Sequence, residues 1–393
     1  MAASNFGTGT LAVRGGEERP LALGAAQVPI FQTAAFAYPD VETWQAVALG
    51  QAPGHIYSRN TNPTVAAFEE KVRLLEGGEA ATSFASGMAA ISNTLFALLR
   101  PGDRVVSVTD TYGGTSRLFL EFLPERGITV DLVSTGDHDA LDAAIARGCK
   151  LAYLETPTNP TLKVIDLRRA IAAAKRVGAI SVVDNTFATP VNQRPLALGA
   201  DLVVHSATKF LGGHDDAMGG VLVGRAELVK KVYHFREING GCLAAMSAYL
   251  LLRGMKTLEL RVARQNATAL AMATFLASHP KIESVYYPGL PSHRGHAIAA
   301  NQMSGFGGVL SFALKGDAAT ASRFLAGLQL AQRAASLGSV NTLAGPPRTT
   351  SHVECTPEER ARLGIPETLV RYSCGIENFE DLRADVGQAL SRA

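Results

Sequence analysis

The chain has a single tryptophan in 393 residues, four cysteines, and no uninterrupted apolar run of about 18 residues that could cross a bilayer. Its opening stretch, MAASNFGTGTLAVRGGEERP, also lacks the apolar core of a signal peptide, so a cytoplasmic location and no membrane partner are expected. Cys149, Cys242, Cys355 and Cys374 are irregularly spaced with no C-x-x-C pair, which reads as reduced thiols rather than a disulfide framework. Charge of either sign is nearly balanced at net +2, and there is no long Lys/Arg run. That balance argues against nucleic acid and points to a small-molecule partner.

With 47% hydrophobic and 18% charged residues, the composition is that of an ordinary globular enzyme and excludes disorder. A chain of this length is expected to form two or three domains. Residues 1–60 are rich in Gly, Pro and polar residues and read as an extended arm that wraps a neighbouring subunit. Over residues 61–255, short apolar runs alternate with helical segments: RVVSV (104–108), ITVDLV (128–133), KLAYLE (150–155), ISVVD (180–184) and DLVVHS (201–206). Such runs predict parallel strands buried on both faces, hence an α/β domain whose ligand sits at the strands' carboxyl ends. Helical periodicity over 247–280, through Leu250, Gly254, Leu258, Val262 and Asn266, predicts a link to a smaller α+β domain at 256–393. That domain contains GGVLSFAL, TLVRYSC and the amphipathic FEDLRADVGQAL.

Chemistry gathers at a few places. In SFASGMAAI (83–91), a strand-like piece runs into a helix, and Gly87 and Met88 would present free backbone N–H groups to a phosphate. Taken alone, Gly87 reads more readily as a packing glycine at a strand-to-helix turn. HSATKFLGGH (205–214) adds the hydroxyls of Ser206 and Thr208 and the amine of Lys209 within one short turn. That set can bind a phosphate and form an imine with an aldehyde. Asp184, ending the run SVVD, can pair with a pyridinium nitrogen or cap an Asx turn. Tyr112, in DTYGGTSR, can stack on a ring and act as an acid, or simply fill core. Arg371, in LVRYSCG, can fork onto a carboxylate or form a surface ion pair.

Together these segments resemble the Cys/Met-metabolism family of pyridoxal-phosphate (PLP) enzymes, the transsulfuration enzymes, from about Tyr57 to the C-terminus. The strongest block is VVDNTFATPVNQRPLALGADLVVHSATKFLGGH (182–214), joined by YSRNTNPT (57–64), DTYGGT (110–115), ETPTNPT (155–161) and SLG (336–338). The resemblance implies the aspartate-aminotransferase-like fold, type I, with a parallel-rich central sheet. It also implies that Lys209 carries the cofactor and Asp184 faces the ring nitrogen. Gly87, Met88, Ser206 and Thr208 would hold the phosphate, with Tyr57 and Arg59 reaching in from a neighbouring subunit. Tyr112 would cover the ring and Asn159 bond its phenolic oxygen, while Arg371 and Ser336 grip the substrate carboxylate. The family's usual assembly, a tetramer of two dimers with shared sites, is expected.

Members acting on cystathionine often carry acidic residues where this chain has Ile56 and Ala335, so the resemblance implies an apolar distal pocket suited to L-methionine. The implied reaction is γ-elimination to methanethiol, 2-oxobutanoate and ammonia. The same residues would serve cystathionine γ-elimination, or γ-replacement as in cystathionine γ-synthase and homoserine sulfhydrylases. Arg117 resembles the cystathionine-type members, and Asp215 stands where the family more often has Ser. Two readings from other classes are a metal-dependent hydrolase on His205, His214, Asp215 and Asp216, and a catalytically inactive regulatory protein of the same fold. The first fits no standard metal spacing. The second is disfavoured by the presence of Lys209, Asp184, Tyr112 and Arg371 together.

Overall fold

A computed structural model describes residues 6–17, 21–353 and 355–393. The first sheet is built from β1 (Ala80–Phe84), β2 (Arg104–Val108), β3 (Thr129–Val133), β4 (Leu151–Glu155), β5 (Ile180–Asp184), β6 (Leu202–Ser206) and β7 (Gly220–Gly224). Its order is β1-β7-β6-β5-β4-β2-β3. The five runs singled out in the sequence become β2 to β6, all parallel to one another, with ends within a residue of expectation. They are parallel because helices cross over between them, and strands such as β4 are buried along their whole length, as covering both faces requires.

The sequence reading missed β7, which is antiparallel to both β6 and β1. No helix forms between Ser206 and Gly220, so the chain turns straight back after β6 instead of crossing over. The turn it makes is the segment that carries Lys209.

The second sheet, β10-β11-β12-β9-β8, comprises β8 (Ile282–Tyr286), β9 (Val309–Leu314), β10 (Gln332–Arg333), β11 (Leu343–Gly345) and β12 (Leu369–Ser373). The final helix, Phe379–Arg392, buries Leu382, Val386, Ala389 and Leu390 in the core on this sheet, the stripe expected of its amphipathic sequence. The periodic stretch 247–280 is two helices, Ala245–Met255 and Leu258–Ala277. Gly254 lies at their junction, where a Cβ would come within 2.0 Å of the Gly212 carbonyl; only glycine permits this approach to the Lys209 turn.

Residues 1–60 are not extended throughout. Thr8–Arg14 is helical and buries Leu11 and Ala12, and Val41–Ala48 is a helix capped by the Asp40 carboxylate, which accepts from the Thr43 N–H at 2.6 Å. Glycine and polar content hid a short apolar face that has somewhere to dock. The buried Lys71 ammonium fixes the first helix by donating to the Ala12 carbonyl at 2.9 Å and the Glu17 carboxylate at 3.1 Å. Among the described residues, no helix is long and apolar enough to cross a membrane.

Candidate active site

Three neighbouring parallel strands deliver their last residues to one place: β4 ends in Glu155, β5 in Asp184 and β6 in Ser206. Carboxyl ends of parallel strands leave a crevice where ligands bind, because the helices that follow diverge to either side of the sheet. The crevice here is a cavity of about 280 Å³ lined by Gly87, Met88, Tyr112, Asn159, Asp184, Ser206, Thr208, Lys209, Ala335, Ser336 and Arg371, among others. Eleven residues named from the sequence thus meet in one cavity.

One end of the cavity is set by the helix Gly87–Leu98. Ser86 caps it by accepting from the Ala89 N–H at 3.1 Å, which leaves the first-turn N–H groups of Gly87 and Met88 facing the cavity. A Cβ on Gly87 would stand 2.6 Å from the Ser206 Cβ, so the absence of a side chain keeps this corner open. Thr208 is locked to the returning chain, its hydroxyl accepting from the Gly219 N–H at 3.1 Å.

Lys209 projects from this turn, and its Nζ donates to Ser336 Oγ at 3.1 Å. Burial, reinforced by the positive charge of Arg371, pushes its pKa down to about 8, against a weaker opposite pull from Asp215. A lysine so placed is a readier nucleophile near neutrality than a solvated one. The turn is also held from behind, where the buried Arg261 guanidinium donates to the carbonyls of Phe210 at 2.8 Å and Gly254 at 2.9 Å.

Asp184 accepts from the Thr186 N–H at 3.0 Å and from the Tyr153 hydroxyl at 3.2 Å. Burial raises its pKa above the usual carboxylate range, opposed by those hydrogen bonds and by His205. A buried carboxyl held this way gains most from a cationic partner such as a protonated ring nitrogen. Opposite it, Arg371 extends from the middle of β12, donating to Asn159 Oδ1 at 3.2 Å and to the Ser336 carbonyl at 2.8 Å. Burial lowers its pKa to about 10, which leaves it cationic at neutral pH. Ser336 has φ +101°, a conformation that turns its carbonyl and hydroxyl to two different cations.

Not every residue named from the sequence lies here. Tyr57 and Arg59 are exposed and outside the cavity; the Tyr57 ring sits under the Arg59 guanidinium at 5.6 Å, and Arg59 donates to the Glu237 carbonyl. Ile56 pairs its carbonyl with the Phe36 N–H at 3.0 Å in the same outlying segment. Arg117 forms an ion pair with Glu121 at 2.8 Å and lines a separate cavity with His352, Cys355 and Arg362. Asp215 and Asp216 line an adjoining cavity of about 710 Å³ that shares Thr208, Met218, Ala335 and Ser336 with the first. Of the four residues in the hydrolase reading, His205 is buried against Glu76 at 2.6 Å. Among the described residues, no group of three or more His, Cys, Asp or Glu is arranged to hold a metal. The sequence reading passed over Glu155, Thr186 and Tyr153; only the strand register brings Glu155 opposite Asp184.

The donor set suits pyridoxal phosphate: a helix terminus and hydroxyls for a phosphate, a low-pKa lysine for an aldehyde, and a carboxyl for a pyridine nitrogen. Fold and site together define a PLP enzyme of fold type I. The sequence profile of the Cys/Met metabolism PLP-dependent enzymes matches residues 9–391. L-methionine gamma-lyase of Pseudomonas putida is 45% identical over 93% of both chains, and cystathionine gamma-lyase of Bacillus subtilis is 43% identical over 97% of this chain and 98% of that one. The crystal structure of cystathionine gamma synthase from Xanthomonas oryzae pv. oryzae, in complex with aminoacrylate and cysteine, superposes with a TM-score of 0.93 at 40% identity, covering 98% of each chain. The chain belongs to the Cys/Met-metabolism family of PLP-dependent enzymes.

Proposed function

We propose that the enzyme is a carbon–sulfur lyase that eliminates the γ-substituent of L-methionine, giving methanethiol, 2-oxobutanoate and ammonia. The observation that carries this reading is the apolar surface beside Lys209 and Ser336, made by Ala335, Met218, Leu337, Ile91 and Phe187. The carboxyls lining that cavity, Asp184 and Glu155, both sit at the strand ends. A methyl thioether loses nothing in such surroundings, whereas an ammonium without a partner would cost several kcal/mol by order of magnitude.

When bound, the cofactor supplies an electron sink for charge developing at the substrate's Cα. Gly87, Met88, Ser206 and Thr208 would hold its phosphate, Asp184 would pair with its ring nitrogen and Asn159 with its phenolic oxygen. Arg371, with Ser336, binds the substrate carboxylate and so sets which Cα bond faces Lys209. Lys209 then takes the Cα proton; a second proton leaves Cβ, its C–H electron pair expels the γ-sulfur, and Tyr112 delivers a proton to the departing thiolate.

Cystathionine is the second reading, favoured by Asp215 and Asp216 in the adjoining cavity, where carboxylates would suit a cationic distal end. The purified holoenzyme, given L-methionine and L-cystathionine separately, decides by its yields of 2-oxobutanoate and thiol. Methanethiol at the higher kcat/KM is expected. A preference for cystathionine overturns the methionine reading, and ketoacid from neither substrate points to γ-replacement.

We further propose three parts: an arm at 1–60 serving a neighbouring subunit, a cofactor-binding domain at 61–255, and a C-terminal domain at 256–393 divided from it between Met255 and Leu258. The outlying position of Tyr57 and Arg59 supports a site completed by a second chain, in a dimer or a tetramer of two dimers.

A further inference from the structure

Glu155 is a buried carboxyl at the end of β4, directly opposite Asp184 in the strand register, and it lines the Lys209 cavity. Its Oε2 accepts from the Tyr112 backbone N–H at 2.8 Å, and the Asn159 backbone also hydrogen-bonds to the carboxyl. Those two residues lie on separate loops, one after β2 and one after β4. One side chain therefore ties down both loops that border the ring.

We propose that Glu155 is a positioning residue for the cofactor: through the backbones of Tyr112 and Asn159 it sets the distance between the aromatic cover and the partner of the phenolic oxygen. Tyr112 needs such an anchor. The residue is 42% exposed and its turn is rich in glycine, so little packing fixes it. Asn159 is itself bonded through Oδ1 to Arg371, so a shift of its backbone would be passed to the substrate's carboxylate site. Burial pushes the Glu155 pKa well above the ordinary value, with a further rise from the Asp184 charge. An uncharged Glu155 accepts the two backbone bonds without setting a second negative charge beside Asp184.

This inference rests on the PLP chemistry of the family and not on the choice of amino-acid substrate, so it is tested with no substrate present. Apoprotein is titrated with PLP, following visible absorbance and the visible circular dichroism of the bound ring. E155A is expected to weaken PLP binding about tenfold and to change the dichroic band, since two hydrogen bonds to a buried carboxyl are lost. E155Q, which keeps one acceptor oxygen, should fall between E155A and the parent. In a Tyr112→Ala background the E155A penalty should shrink, because part of its route of action is already gone. Wild-type affinity and dichroism in E155A, or an undiminished penalty in both Tyr112→Ala and Asn159→Ala backgrounds, would overturn the proposal. If E155A does not fold, E155Q decides alone, and unchanged affinity and dichroism in it overturn the proposal equally. A failure of methionine turnover leaves every one of these readouts untouched.

Discussion

Lys209 Nζ and Ser336 Oγ stand 3.1 Å apart although 127 positions separate them in the chain, and the same serine's carbonyl accepts from Arg371 at 2.8 Å. One residue in a left-handed conformation thus spaces two basic groups of the site, the Lys209 amine and the Arg371 guanidinium. With its hydroxyl accepting from Lys209, Ser336 favours the protonated amine. Ser336→Ala is expected to lower the Lys209 pKa further, seen as apoprotein that reacts with a lysine-directed aldehyde or sulfonate reagent at lower pH than the parent.

Because burial and Arg371 bring the Lys209 pKa to about 8, the parent apoprotein should combine with PLP at a rate that climbs with pH and levels off above about 8. The neutral amine is the nucleophile, so the sign is a rise with pH. An ordinary lysine would climb up to about 10.4. Stopped-flow absorbance across pH 6.5 to 10 checks this. Arg371→Met should move the midpoint upward by removing the neighbouring positive charge.

Tyr153 is buried and donates a hydrogen bond from its hydroxyl to Asp184 at 3.2 Å. Burial and the charge of Asp184 keep the phenol neutral by raising its pKa well above the ordinary value. Tyr153→Phe removes one donor from a buried carboxylate, at a cost of about 1.5 kcal/mol, or roughly tenfold in PLP affinity. The penalty should grow as pH falls, because Asp184 protonates more easily without that bond. Asp184→Asn should cost far more, and its kcat should fall with little change in KM.

Arg371 cannot be replaced by lysine without loss, because its two nitrogens go to different partners, Asn159 and Ser336. Arg371→Lys is expected to raise KM by roughly ten- to a hundredfold, the loss of about 1.5–3 kcal/mol for a charge-assisted contact. Amino-acid amides, which lack the carboxylate, should lose their disadvantage in this variant. A KM unchanged in Arg371→Lys would place the carboxylate elsewhere.

Tyr57 and Arg59 lie outside the cavity of their own chain. If each serves a neighbouring subunit, Lys209→Ala and Arg59→Ala proteins, inactive or weak alone, should regain activity when unfolded and refolded together. About a quarter of the sites in such a mixture would carry neither change, by simple pairing statistics for shared sites. No recovery above the sum of the separate proteins would tie Arg59 to its own chain.

The parallel strands β2 to β6, the final helix and the Lys209 turn were legible in the sequence because each has a local cause: a continuous apolar run, a 3.6-residue stripe, a Gly-Gly turn after a buried strand. Lys209, Asp184 and Gly87, which line one cavity, were legible as candidates for the same reason, since each motif sits within about ten residues of chain. The antiparallel β7, the helix at Thr8–Arg14 and the roles of Glu155, Tyr153 and Arg261 were not. Strand direction depends on whether a connection crosses over, and a short helix depends on an apolar surface elsewhere to receive it. The partners of Glu155, Tyr153 and Arg261 are set by register and packing between segments distant in the chain, which no local pattern encodes. Residue types and their spacing determined the cofactor chemistry; tertiary structure alone decided which buried groups stand close enough to tune it, because burial and Coulomb interactions act through space rather than along the chain.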